Sequence, residues 1–100
     1  MPTAIGVILM LLVGTAVAHA AGDRALGEYL STECVTCHRV SGPPVAGIPT
    51  IRGWPADQFV AVMSAYKTKQ RENIVMQSIA GRLGQDDLEA LAAYFGSLKK

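Results

Sequence analysis

Two cysteines and two histidines are all the thiol and imidazole ligands this chain of 100 residues has, and that scarcity removes several functions at once. A structural zinc site wants four ligands, with a second Cys or His pair spaced to complete a tetrahedron; beyond Cys34, Cys37 and His38 only the distant His19 remains. No apolar run suited to a strand follows the first twenty residues, and the residues before Cys34 read as helix. The buried strand that should precede a thioredoxin-like C-x-x-C pair in a βαβ unit is therefore missing. Charge is thin too: the formal net charge is +1 and no acidic or basic block dominates. Without a clustered basic face for phosphates, nucleic acid is not an expected partner. There is no Lys or Arg before Arg24, and no internal repeat, linker or low-complexity segment.

The uncharged start has its own reading. Ala4 to Val17 is an apolar run of about 14 residues, within the ~7–15 of a secretory h-region and short of the ~20 that span a bilayer. Ala18-His19-Ala20 fits the small-residue cleavage rule, so residues 1–20 are expected to be a signal peptide cut after Ala20, although its n-region carries only the α-amino charge. Left uncleaved, the same segment would be an anchor and the one source of membrane contact. A lipoprotein would need a cysteine at the cut. Residues 21–100 then make one domain of about 80 residues exported to the periplasm, a setting compatible with the cysteine usage. A core that small is near the lower edge of independent stability and calls for a staple. The hydrophobic fraction of 50% is inflated by the leader and is not that of a membrane protein.

The staple is written in Cys34-Val35-Thr36-Cys37-His38. C-x-x-C-H is the attachment signature of a covalent c-type haem. Two cysteines one helical turn apart can each form a thioether with one vinyl group of a porphyrin, and the adjacent histidine then lies under the iron as proximal ligand. The motif occurs once, so one haem c is expected, its apolar disc and cross-links completing the core. An ordinary disulfide between the two cysteines is the remaining rival.

The surrounding pattern is all-α. Asp23 can cap a first helix running toward Cys34, with Leu26 and Leu30 at i, i+4 spacing; Gly27 costs helix stability, which suggests close packing against another helix. Arg39 to Gly53, with Gly42-Pro43-Pro44 and Gly47-Ile48-Pro49, is a loop expected to wrap one haem edge. A second helix is expected from Pro55 to Lys67, with Phe59, Val62, Met63 and Tyr66 as its apolar stripe. A third covers Asn73 to Ala80, with Gly81 as its stop. The last runs from Gln85 to Leu98, its acidic start and Lys99-Lys100 end matching the helix dipole, and Leu88, Leu91, Ala92, Tyr94, Phe95 and Leu98 making its buried face.

A haem that carries electrons normally has a second axial ligand, His or Met. His19, Met1 and Met10 leave with the leader, which reduces the candidates to Met63 and Met76. Met63 is in phase with Phe59 and Tyr66, where a core methionine is the simpler reading. Met76 lies on a short piece able to fold over the distal face and is the expected ligand; Met63 and an open sixth position are the alternatives.

From residue 22 to residue 98 the sequence resembles a class I cytochrome c, and among these the small bacterial cytochromes that include the cytochrome subunit of flavocytochrome c sulfide dehydrogenase and the c4 and c553-type carriers. The likeness is carried by Cys34–His38, Gly47-Ile48-Pro49-Thr50-Ile51-Arg52-Gly53, Ala65-Tyr66-Lys67-Thr68, Asn73-Ile74-Val75-Met76-Gln77-Ser78-Ile79-Ala80 and Leu88-Glu89-Ala90-Leu91-Ala92-Ala93-Tyr94-Phe95. It implies the small cytochrome c fold, about four helices around one haem, and Met76 as distal ligand. It also implies that a loop proline, Pro49 or else Pro44, accepts a hydrogen bond from the proximal histidine, and that Gly27 and Tyr94 mark the crossing of first and last helices. Arg39 after the haem histidine and Gly84 before the last helix depart from the family's usual glycine and serine.

The expected function is one-electron transfer in the periplasm, by a cytochrome that is not itself an enzyme. It would serve either as the haem subunit beside a flavoprotein in a sulfide dehydrogenase or as a free c553-type shuttle to a terminal oxidase or photosynthetic centre. Lys67, Lys69 and Arg71 could steer an acidic redox partner, a solvated helix end being the plainer reading. A haem enzyme or gas sensor would need a distal acid-base group, usually histidine, and only His38 follows the leader.

Overall fold

The computed structural model describes Thr3, Ala4, Gly6 and residues 22–100; the expected leader and its cleavage site fall almost wholly outside the described residues. The described residues are built of four α-helices, α1 (Arg24–Leu30), α2 (Ala56–Lys67), α3 (Ile74–Gly81) and α4 (Gln85–Ser97), with a single 3-10 turn at Ser31–Glu33. No strand occurs among the described residues. The expected helices are all present. The difference lies at the end of the first: α1 stops at Leu30, and the chain tightens through the 3-10 turn so that both cysteines sit on turns beyond the helix proper.

Local chemistry sets these limits. The Asp23 carboxylate accepts from the N–H groups of Ala25 and Leu26 at 3.0 and 3.2 Å, satisfying donors that the first turn of α1 cannot use. Ser31, buried, turns its hydroxyl onto the Glu28 carbonyl at 2.6 Å, which leaves no unpaired polar group under the 3-10 turn. Pro55 stands as the N-cap of α2 instead of within it. At the other end of α2, Lys69 N–H donates to Tyr66 O at 3.0 Å and Gln70 N–H to Ala65 O at 2.8 Å. That is the Schellman pattern, with Lys69 at φ 62° in the left-handed position where glycine is usual. Gly84 has no side chain to cap α4, but its N–H donates to the Asp87 carboxylate at 2.9 Å, the half of a capping box that a glycine can keep.

Packing then brings the first and last helices together. α1 lies chiefly against α4, and α2 packs on both α3 and α4. Gly27 is the point of closest approach: a Cβ there would come within 2.6 Å of the Ala90 carbonyl carbon and 2.8 Å of Tyr94 Cβ. The crossing of first and last helices therefore sits where the resemblance put it, with Ala90, fully buried, as the partner the periodicity had not named. Arg24 reinforces it, donating to Ser97 Oγ at 2.9 Å with its guanidinium 5.7 Å from the Tyr94 ring centre. The core is Ile51, Phe59, Met63, Ala80, Leu88, Leu91, Ala92 and Phe95, with the Phe59 and Phe95 rings stacked at 5.8 Å between α2 and α4. The expected faces of α2 and α4 are thus largely correct; Tyr66, Tyr94 and Leu98 are half-buried.

A candidate haem site

Between the 3-10 turn, the Gly/Pro-rich loop, α2 and α3 lies one cavity of about 560 Å³, within the range of about 300–1,000 Å³ usual for cofactor and ligand pockets. Its wall includes Cys34, Cys37 and His38 on one side and Met76 and Ile79 on another, with Ile48, Pro49, Trp54, Phe59, Val62 and Tyr66 supplying apolar and aromatic surface. Every candidate site residue read from the sequence, Cys34, Cys37, His38 and Met76, reaches this one space. So does Met63, whose side chain is also part of the core at 6% exposure.

Each of these side chains is positioned by local structure. After Glu33 the backbone makes a helix-like turn, with His38 N–H donating to Cys34 O at 2.8 Å and Cys37 N–H to the same oxygen at 3.2 Å. This sets the two sulfurs one turn apart with the imidazole following. His38 Nδ1 lies 2.7 Å from the carbonyl oxygen of Pro49. A carbonyl can only accept, so Nδ1 carries the proton and Nε2 is left with its lone pair free to bind a metal. Of the two prolines considered for this bond, Pro49 is the one that makes it. On the wall that α3 supplies, Asn73 caps the helix: its side-chain oxygen accepts from the Met76 N–H at 3.0 Å, fixing the third residue of the helix.

The donor set fits a haem. The cavity wall is mostly apolar, two sulfurs stand beside a histidine whose ring is held by the Pro49 carbonyl, and a methionine reaches the same cavity from α3. Arg52 adds an unforced observation. One of its terminal nitrogens donates to Val40 O at 2.8 Å, holding the loop's two ends together, while its Nε is buried with no partner. A buried, unsatisfied guanidinium nitrogen next to the cavity-lining Ile51 is a donor that a haem carboxylate could satisfy. The sequence placed Arg52 in a family-like stretch without giving it a role. Asn73, Trp54 and Glu33 also line the site unannounced, Asn73 alone having a legible signal as a cap before an apolar helix.

The rival readings of the cysteines lose ground in the same geometry. As a free thiol Cys34 is pushed up to about 11 by burial, with the neighbouring Glu33 charge adding to the effect, the opposite of what a redox-active thiolate pair needs. Among the described residues no three Cys, His, Asp or Glu side chains are grouped to hold a metal ion by themselves. The basic stretch is also not a single surface: the Lys67 ammonium donates to the Leu83 carbonyl, and Arg71 turns to the cavity.

Comparison with known proteins agrees with this geometry. Residues 25–99 match the cytochrome c family. The chain is 35% identical to cytochrome c4 of Pseudomonas aeruginosa over 95 residues, covering 93% of this chain and 47% of that protein. It is 31% identical over 74 residues to the cytochrome subunit of sulfide dehydrogenase of Chlorobaculum tepidum, covering 74% of this chain and 67% of the relative. Against cytochrome c-553 of Desulfomicrobium norvegicum the identity is 27% over 79 residues, covering 76% of this chain and 98% of the relative. The chain spans about half the length of the c4 protein it matches. A domain of this kind carries haem c covalently, at cysteines with the spacing of Cys34 and Cys37. The chain therefore belongs to the cytochrome c family, as an all-α class I domain.

Proposed function

We propose that the protein is a periplasmic monohaem electron carrier in which Cys34 and Cys37 form the two thioethers and His38 and Met76 are the axial ligands. The observation that carries this reading is the convergence of all four side chains on one largely apolar cavity, with His38 Nδ1 bonded to Pro49 O. When bound, the haem supplies a one-electron couple between ferrous and ferric iron, and the protein's part is to bind, orient and tune it. The Pro49 carbonyl holds the imidazole plane and raises the basicity of Nε2. Met76, presented from the capped turn of α3, offers a thioether sulfur, a ligand that favours a higher potential. Ile48, Phe59, Val62 and Ile79, which line the cavity, would keep water from the ring and so limit reorganisation. Apart from His38 the described wall holds no histidine that could act as a distal acid-base group, so an electron-transfer protein is favoured over a peroxidase or gas sensor.

For the partner, similarity to a sulfide dehydrogenase cytochrome subunit supports a place beside a dehydrogenase subunit, which we propose is a flavoprotein, and similarity along nearly the whole of a cytochrome c-553 supports the alternative of a free shuttle. We favour the subunit. We further propose that residues 1–20 direct export and are removed; among the described residues no helix is long and apolar enough to cross a membrane. The attachment is tested with Cys34→Ala and Cys37→Ala, each of which should lose haem or retain it by one thioether. A pyridine haemochrome spectrum reads the number of saturated vinyls, and two saturated vinyls in both variants would refute the assignment. Co-purification of a flavin-containing polypeptide with the native protein separates subunit from shuttle.

A further inference from the structure

Two side chains of opposite formal charge reach the cavity wall, Glu33 and Arg71. They are not equivalent. The Glu33 carboxylate has a partner of opposite charge, Arg82 at 3.2 Å, in an exposed pair. Arg71 makes no ion pair among the described residues. Its guanidinium carbon lies 5.1 Å from the centre of the Tyr66 ring, a cation held over an aromatic face. The backbone around it is fastened at both ends: Arg71 N–H donates to Ala65 O at 3.2 Å, and Arg71 O accepts from Gln77 Nε2 at 2.9 Å, one residue beyond Met76. The other cations of the same stretch are spent elsewhere, Lys67 on the Leu83 carbonyl and Lys69 on an exposed left-handed turn outside the cavity wall.

We propose that Arg71, stacked on Tyr66 at the cavity mouth beside the start of α3, is a tuning residue that raises the reduction potential of this cytochrome. The inference rests on the electron-carrier reading. Loss of one electron to an acceptor leaves the iron one unit more positive, and a fixed positive charge at the cavity mouth disfavours that state, with the moderate effective dielectric of a site near the protein surface. No bond or proton changes at Arg71, because a guanidinium stays protonated throughout the accessible range. Its contribution is reduced by salt, since the side chain is exposed.

The test is the potential of the haem-loaded protein, read against mediators, for the wild type and for Arg71→Lys, Arg71→Gln and Arg71→Glu. At low ionic strength the glutamine variant should lose about three- to tenfold in the equilibrium constant for reduction, tenfold being 59 mV for one electron. The glutamate variant should lose more, and lysine, which keeps the charge, should stay near the wild type. In 0.5 M salt, on the order of a 4–5 Å screening length, the spread should shrink. Equal potentials for wild type, Gln and Glu, with the ferric thioether band intact, overturn the role of Arg71 while leaving the carrier reading in place. Absence of covalent haem or of that band in the wild type overturns the carrier reading itself. If the glutamine variant disturbs ligation, the lysine and glutamate pair still decides: a gap that salt closes supports the charge effect, and a gap that salt leaves untouched overturns it.

Discussion

Met63 and Met76 both face the cavity, and what separates them is how each is held. Met63 is locked into α2 and buried to 6% exposure among Phe59, Leu91 and Phe95, so its side chain is part of the packing that keeps α2 on α4. Met76 is half-buried and leads from the capped first turn of α3. Met76→Ala should therefore abolish the weak near-infrared band of ferric iron bound to thioether sulfur, lower the potential and admit carbon monoxide to the reduced protein. Met63→Ala should keep the band and cost about 2–5 kcal/mol of stability as a core truncation. Optical spectra and thermal melts of the two holoproteins distinguish the roles, and an exchange of the two phenotypes would move the ligand to Met63.

At the scale of elements, two devices position the site. The first is the Asn73 cap, which binds the backbone of the proposed ligand residue itself. Asn73→Ala should cost about 0.5–2 kcal/mol and, because the lost bond belongs to Met76, should also speed exchange of the sixth ligand; imidazole or cyanide binding kinetics to the ferric protein would measure it. A slower or unchanged binding rate would mean that packing, not the cap, fixes Met76. The second is the α1/α4 crossing. At Gly27 an added methyl would run into Ala90 and Tyr94, so Gly27→Ala must separate the helices or shift α1. It should lower stability by about 1–3 kcal/mol, seen as a fall in melting temperature with an unchanged haem spectrum, since no residue of α1 lines the cavity.

For the molecule as a whole, the covalent group is part of the core that a domain of about 80 residues would otherwise lack. The export proposal carries a chemical corollary, because a chain kept from the compartment where thioethers are formed should remain haem-free. Intact-mass measurement of the native protein tests both: the species should begin at Ala21 and carry the added mass of one haem. A mass retaining residues 1–20 would indicate an anchored cytochrome, and a haem-free mature mass would sink the electron-carrier reading.

Much of the local structure was legible because its causes are local. The Cys34–His38 spacing, the Asp23 cap and the apolar stripes of α2 and α4 act over three or four residues, and helical periodicity carries them directly; Asn73, expected as a residue of the third helix, is its cap instead. Lys69 in a left-handed turn is the local exception, since no glycine marks it. What depended on distant segments could not be read that way. The length of α1 was cut by tightening at Ser31–Glu33, the Pro49 carbonyl rather than that of Pro44 reached His38 across eleven residues, and the three cations of one basic stretch were sent to three different environments. The sequence by itself determined which residues could bind a haem, through their chemistry and spacing. Only the tertiary structure decided which faced the same cavity and which charges reached it, because those depend on how α2, α3 and the loop close over a common space.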